Sequence, residues 1–226
     1  MGKKIYESCD RAIRILNRKS MKEFEALKLA DFDSANVIRT VRKMYRKLAK
    51  QAEGQYRKVA HDAYMYGLML CGPEWWQKAE RMADKAVTKE WVRDILEQTD
   101  FVTLYRFDSE TERKADRLVE AIAVVEGTGE RGVALRNMKF NRNDQIDAAL
   151  RLWTKQVGQY AVNMTDYAML QAYDDAGIEE AEWLTEVGGA NVCARCKALG
   201  GKRFKLDEFP SKPHIGCRCS SKPVVK

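Results

Sequence analysis

Four of the six cysteines and one of the two histidines fall between Cys193 and Cys219, in the stretch CARCKALGGKRFKLDEFPSKPHIGCRC. Cys193-x-x-Cys196 is the spacing at which two thiolates from one tight turn reach a single tetrahedral ion, and His214-x-x-Cys217-x-Cys219 offers the other half of such a site. Five candidate ligands therefore serve four positions. Cys193, Cys196 and His214 take three of them; Cys217 and Cys219 compete for the fourth, which leaves one thiol spare. From residue 193 to 226 there are nine Lys and Arg against two Asp and Glu, a surplus that favours thiolate and offsets the charge of a Cys3His zinc centre. The other chemistry open to these thiols is redox exchange or disulfide formation.

A catalytic zinc keeps a position open for water and usually has a carboxylate base beside it. This tail supplies enough ligands to close the shell, and it lacks the HxE plus PCxxC pairing of zinc deaminases. The expectation is a structural zinc and no enzyme activity. Apart from Val192, Leu199, Phe204, Leu206, Phe209 and Ile215, the tail has almost no apolar side chains from which to build a core. A structural zinc can replace one, since it supplies roughly 10–16 kcal/mol of apparent folding free energy in small domains.

The rest of the chain must hold this tail in place. Its 226 residues are 45% hydrophobic and 32% charged, which suits a soluble globular protein. No apolar run approaches the ~18 residues of a membrane span, and the charges in MGKKIYESCDRAIRIL interrupt any secretory signal. Only four prolines occur, three of them in the tail, so residues 1–209 are interrupted only by Pro73.

Helical periodicity is predicted over residues 3–29, with Ile5, Ala12, Ile13, Leu16, Phe24 and Leu27 on one stripe. After Asp33 and Ser34 as N-cap candidates, Val37, Ile38, Val41, Tyr45, Leu48 and Ala52 form a second stripe. Arg39, Arg42, Lys43, Arg46, Lys47 and Lys50 face the other way. This basic amphipathic helix is expected to stop at Gly72-Pro73. Shorter helices follow over 74–86, 88–98 and 109–125, the last after the strand-like FVTLYRF. A polar, glycine-bearing connection, EGTGERGVALRNMKFNRND, divides the chain into an N-terminal helical region, 1–140, and a C-terminal domain, 141–226. The latter holds a long helix over 143–175, a C-cap at Gly177, a short strand in EEAEWLTEV and the Cys/His tail, 190–220. The fold class expected is mainly α: a helical body with a small α+β C-terminal domain ending in a zinc-knuckle-like tail.

Other signals have plain readings. GTGERG matches GxGxxG in form, but a helix-like segment precedes it and Glu130 would sit where phosphate oxygens belong, so it reads as a connection. Of the adjacent Trp75 and Trp76, one is expected in the core and the other as an interface anchor. Cys9, Cys71 and His61 read as packing positions. Charge is segmented: residues 1–70 carry net +8, residues 71–192 net −8 and residues 193–226 net +7. Basic ends suit polyanion contact, and the candidates are the six basic residues from Arg39 to Lys50 together with Lys202, Arg203, Lys205 and Arg218; solvated faces are the alternative.

The tail also resembles the C-terminal signature of the phage Mu F-like family of minor head proteins. Gly177, Trp183, Cys193, Cys196, Gly200 or Gly201, Phe204, His214, Cys217, Arg218 and Cys219 fall on that signature. The family commonly has an Asp before the CxxC and Pro-Asn after the His; here Gly188 to Val192 and Ile215-Gly216 occupy those positions, and the thiol spacing is kept. The resemblance covers the last fifty residues closely and extends back to about residue 141. It implies a structural protein of a tailed phage, made in the host cytoplasm and held in few copies in the head interior near the portal. Its implied partners are the portal protein, the major capsid protein and packaged double-stranded DNA, with a role in head morphogenesis and DNA packaging or ejection. A zinc-stapled, sequence-independent DNA-binding protein is the alternative, and a zinc-dependent hydrolase or nuclease a further one.

Overall fold

Six helices of the body and a small sheet carry the chain in a computed structural model that describes residues 6–32, 36–97, 106–125, 141–185, 192–214 and 216–225. Helix α1 spans Glu7–Lys28 and buries Cys9, Ala12, Leu16, Ser20, Phe24 and Leu27, a three-and-four spacing that lines one face. Helix α2, Val37–Cys71, buries Val41, Tyr45, Leu48, Ala52 and Tyr56 and ends where Pro73 has no N–H to continue it. Asp33 and Ser34 lie outside the described residues. Ile38, expected on the buried stripe, is 45% exposed, because it stands one position off that stripe and on the basic face.

A single 3-10 turn, Pro73–Trp75, leads into α3 (Ala79–Ala86) and α4 (Lys89–Glu97). Trp75 is half-buried, whereas Trp76 is exposed and donates its indole N–H to the Met69 carbonyl. Helix α5 runs Phe107–Val125, so Phe107 opens a helix instead of closing a strand. Residues 101–105 of the strand-like segment, and the GTGERG connection, lie outside the described residues.

Helix α6, Arg142–Asp175, is the axis of the body. Every residue from Gln159 to Thr165 is buried, so its middle is enclosed on all sides, and it packs on α1, α2 and α5. One buried cluster runs from Tyr6 to Ala181 and draws on both halves of the sequence. At its centre Tyr45 meets Phe24 and Trp153 edge to face, and Phe107 meets Tyr56 and Tyr160 in the same way. Where α2 crosses α6, Gly67 allows close approach: a Cβ there would lie 2.9 Å from Ala172 Cβ.

The C-terminus of α6 closes as a Schellman motif. The Ile178 N–H reaches the Tyr173 carbonyl at 2.9 Å and the Gly177 N–H reaches that of Asp174 at 2.8 Å, with Gly177 at φ 74°. This turn aims the chain into β1, Glu180–Leu184, the middle strand of an antiparallel sheet ordered β2-β1-β3. Strand β2 is Arg203–Lys205 and β3 is Ser220–Pro223, with helix α7, Ala194–Leu199, between β1 and β2. The fold is thus a mainly helical body with a small sheet and a Cys/His cluster at its C-terminal end. Among the described residues no helix is long and apolar enough to cross a membrane.

Candidate metal centre

Cys193 is the N-cap of α7, and its Sγ accepts the backbone N–H of Cys196 at 3.3 Å. That bond holds the Cys193 thiol below its usual pKa, with the charge of His214 acting in the same direction. Helix α7 carries Cys196 inward. Beyond β2 the chain turns through Leu206–Glu208 and two prolines to His214, whose carbonyl accepts the Cys217 N–H. Gly216, at φ 79°, makes the turn that presents Cys217 and Cys219 to Cys196.

Cys196 is the hub. Its Sγ lies 3.7 Å from His214 Nε2 and 3.5 Å from Cys217 Sγ. Ligand atoms lie within 4.8 Å of one another in two overlapping groups, Cys193–Cys196–His214 and Cys196–Cys217–Cys219. Zn–S bonds of about 2.3 Å and Zn–N bonds of about 2.0–2.1 Å in a tetrahedron put ligand atoms about 3.5–3.8 Å apart. The measured separations fit. None of these cysteines is in a disulfide, and burial pushes the Cys196 and Cys217 thiols up. This cluster is compatible with a structural metal such as zinc, and all five residues singled out in the sequence are gathered in it.

A second small core surrounds the site. Trp183, Cys196, Cys217 and Cys219 are buried together, with Val192, Leu199, Phe204 and Phe209 packed on them. Phe209 stacks on Trp183 at 5.6 Å and meets Phe204 edge to face. The few apolar side chains of the tail are therefore concentrated on the thiols.

The tail is tied to the body by residues that the sequence did not single out. The Tyr6 hydroxyl lies 2.8 Å from Asp166 Oδ1 and 2.9 Å from the Cys219 carbonyl. Lys212 donates to the Tyr6 oxygen at 2.9 Å, pairs with Asp166 at 3.0 Å and covers the faces of both Tyr6 and Trp183. Burial raises the Asp166 pKa, and Lys212 pulls it back.

The basic candidates separate into three kinds. Arg218, expected at a contact surface, is turned inward: its guanidinium holds Asp10 at 2.7 Å, reaches Cys9 Sγ at 3.5 Å and stacks on Tyr6. An arginine held by a thiol, a carboxylate and an aromatic face has donors engaged inside the molecule. Lys202, Arg203 and Lys205 are exposed, but Arg203 and Lys205 stand opposite Glu182 and Glu180 across the sheet. On α2, Arg42 pairs with Asp116 and Lys47 with Glu23. Arg39, Lys43, Arg46 and Lys50 are exposed and have no ion-pair partner among the described residues. These four follow one another at four, three and four residues on a single stripe. The stripe leads into a groove of about 660 Å³ that is walled by Lys50, Arg57, Lys58, Lys89 and Arg93 around Gly54 and also holds Glu53 and Asp62.

Fold and site together define a mainly helical protein with a Cys/His cluster, compatible with a structural metal, at its C-terminal end. Compared with protein-family models, curated proteins and solved structures, the chain matches none.

Proposed function

We propose that this chain is a zinc-stapled structural protein that holds the phosphate backbone of duplex DNA on one face of α2 without reading its sequence. The observation that carries this reading is the exposed basic stripe Arg39–Lys43–Arg46–Lys50, without ion pairs among the described residues and continued by Arg57. At 1.5 Å per residue the stripe is about 27 Å long, and duplex DNA presents a charge about every 1.7 Å of its axis. Nothing along this face supplies the bidentate amides or helix-in-groove motif that base readout needs. Zinc holds the tail folded on Cys193, Cys196, His214 and one further thiol, and with the shell closed it has no catalytic role.

Titrating random-sequence duplex at several salt concentrations tests the proposal. The affinity should fall with a log–log slope of about −0.9 per phosphate neutralised, and Arg46→Ala and Lys50→Ala should each flatten it by about one such step. Salt-insensitive or absent binding refutes it. Chelation should unfold the tail, and the zinc-loaded protein should show no hydrolytic or nuclease activity for the chelator to abolish.

The tail signature supports a second, compatible reading: a minor head protein of a tailed phage, placed beside the portal and the packaged DNA. In its favour, Gly177 makes the turn into β1, Trp183 and Phe204 enclose the thiols, and Arg218 ties the tail to α1, so each signature residue has a structural task. Co-expression with the portal of the same phage tests this reading. Failure to co-purify at moderate salt, with virions assembling normally without the protein, counts against it.

A further inference from the structure

Between α4, α6 and the tail lies a cleft of about 610 Å³, within the size range of ligand sites and separate from both the thiols and the basic stripe. Three residues of its lining carry buried polar atoms with no hydrogen-bond partner among the described residues: Asn163 Nδ2, Trp183 Nε1 and Ser221 Oγ. These residues are only 3%, 1% and 3% exposed. Trp183 and Ser221 face each other across the β1–β3 pairing, and Asn163 comes from α6. Buried donors without acceptors are expensive, so three in one cleft point to a missing partner.

The chemistry of that partner is set by a relay. The Gly216 N–H donates to Gln159 Oε1 at 2.9 Å, which leaves the Gln159 amide nitrogen to donate to Asn163 Oδ1 at 2.8 Å. A backbone N–H cannot accept, so the relay runs in one direction and the Asn163 NH2 is the end left as a donor. Trp183 Nε1 is likewise a donor only. The inner end of the cleft therefore calls for acceptors.

Charge decides which acceptors. Three carboxylates, Asp166, Asp174 and Asp207, line the cleft against one ammonium, Lys212, which Asp166 already engages. Asp174 and Asp207 are exposed at the mouth, where they disfavour an anion and favour a cation. Trp91, Ile95, Leu170 and Leu206 supply apolar walls. We propose that this cleft binds a short extended peptide of a partner polypeptide, with its backbone carbonyls on Asn163 and Trp183, apolar side chains between the walls and a Lys or Arg at the carboxylates. Uncharged carbonyls at every residue, followed by a basic side chain, meet all three demands at once.

Two blocked peptides, acetyl-Ala-Leu-Leu-Lys-amide and its counterpart with Glu in place of Lys, test the assignment against the full-length, zinc-loaded protein by 1H–15N NMR. The Trp183 indole N–H and the Asn163 side-chain amide should shift saturably with the Lys peptide and at least tenfold more weakly with the Glu peptide. Trp183→Phe and Asn163→Asp should each weaken binding at least fivefold. Asp174→Asn with Asp207→Asn, both at exposed positions that leave the fold intact, should abolish the preference between the peptides. Indole and amide signals unmoved by the Lys peptide, or moved equally by both peptides, would overturn the proposal and leave ordered water as the occupant.

Discussion

The hydroxyl of Tyr6 lies 2.9 Å from the carbonyl of Cys219, which ties the residue before α1 to the last thiol of the tail. Lys212 and Asp166 complete the contact, so the helical body reaches the Cys/His cluster through one buried polar knot. Tyr6→Phe keeps the ring and removes its hydroxyl. The Cys219 carbonyl and the Lys212 ammonium then lose a buried partner, and the expected cost is about 1–3 kcal/mol in denaturant unfolding. A loss within experimental error would show that the knot is replaceable by water.

The metal should depend unequally on the two competing thiols. Cys217 Sγ lies 3.5 Å from Cys196 Sγ and its backbone N–H bonds the His214 carbonyl, so in the proposed zinc site Cys217 is the fourth ligand we expect. Cys217→Ser should therefore lose zinc, and Cys219→Ser should retain it, as read by metal analysis after dialysis. Equal retention by both would remove the requirement for either one.

Metal affinity should also fall as pH falls. Burial raises the Cys196 and Cys217 thiols above their ordinary pKa, so at neutral pH the metal must displace their protons to bind. Competition titration with a chromophoric chelator should show affinity rising steadily from pH 6 to about pH 8, and a flat profile would contradict it.

Asp166 and Lys212 should prove more valuable as a pair than either is alone. Asp166→Asn leaves a buried ammonium without its carboxylate, at an expected cost of about 3–5 kcal/mol, while Asp166→Asn with Lys212→Met should recover more than half of it. The sign with pH is distinctive. Because burial raises the folded Asp166 pKa, its contribution favours folding below the unfolded value and is lost as pH rises through the folded one. The double variant should lose that component from the stability profile on the alkaline side of the ordinary Asp pKa.

Gly67→Ala tests the helix crossing. The added carbon would stand 2.9 Å from Ala172 Cβ and 3.3 Å from the Met169 backbone, so α2 and α6 must separate. Overpacking of this kind costs about 1–3 kcal/mol, and here it outweighs the gain in helix propensity. Thermal unfolding measures the difference.

Much of this architecture is legible in the residues themselves. Helix α6 is announced by thirty residues of 3.6 periodicity free of proline and closed by Gly177, and the CxxC and HxxCxC spacings mark the cluster. Ile38 and Arg218 were less readable. A stripe one residue wide does not say on which side an edge position falls, and a basic side chain in a basic tail gives no sign that Asp10 lies beside it in space. The anchoring residues did leave a trace. Gln156, Gln159, Asn163 and Asp166 recur at three, four and three residues along α6, and the first three are buried. A polar row at core spacing requires partners, and here the tail supplies several of them through Gly216 and Lys212.

The contacts of Tyr6, Cys9 and Asp10 with Lys212, Arg218 and Cys219 also fix an order of events during synthesis. Helix α1 leaves the ribosome first, yet the groups that complete its N-terminal end are more than two hundred residues behind it. Pairings at such separation form last and slowly. Until the tail arrives, Tyr6, Cys9 and Asp10 lack Lys212, Arg218 and the Cys219 carbonyl, and docking of the tail completes that end of α1.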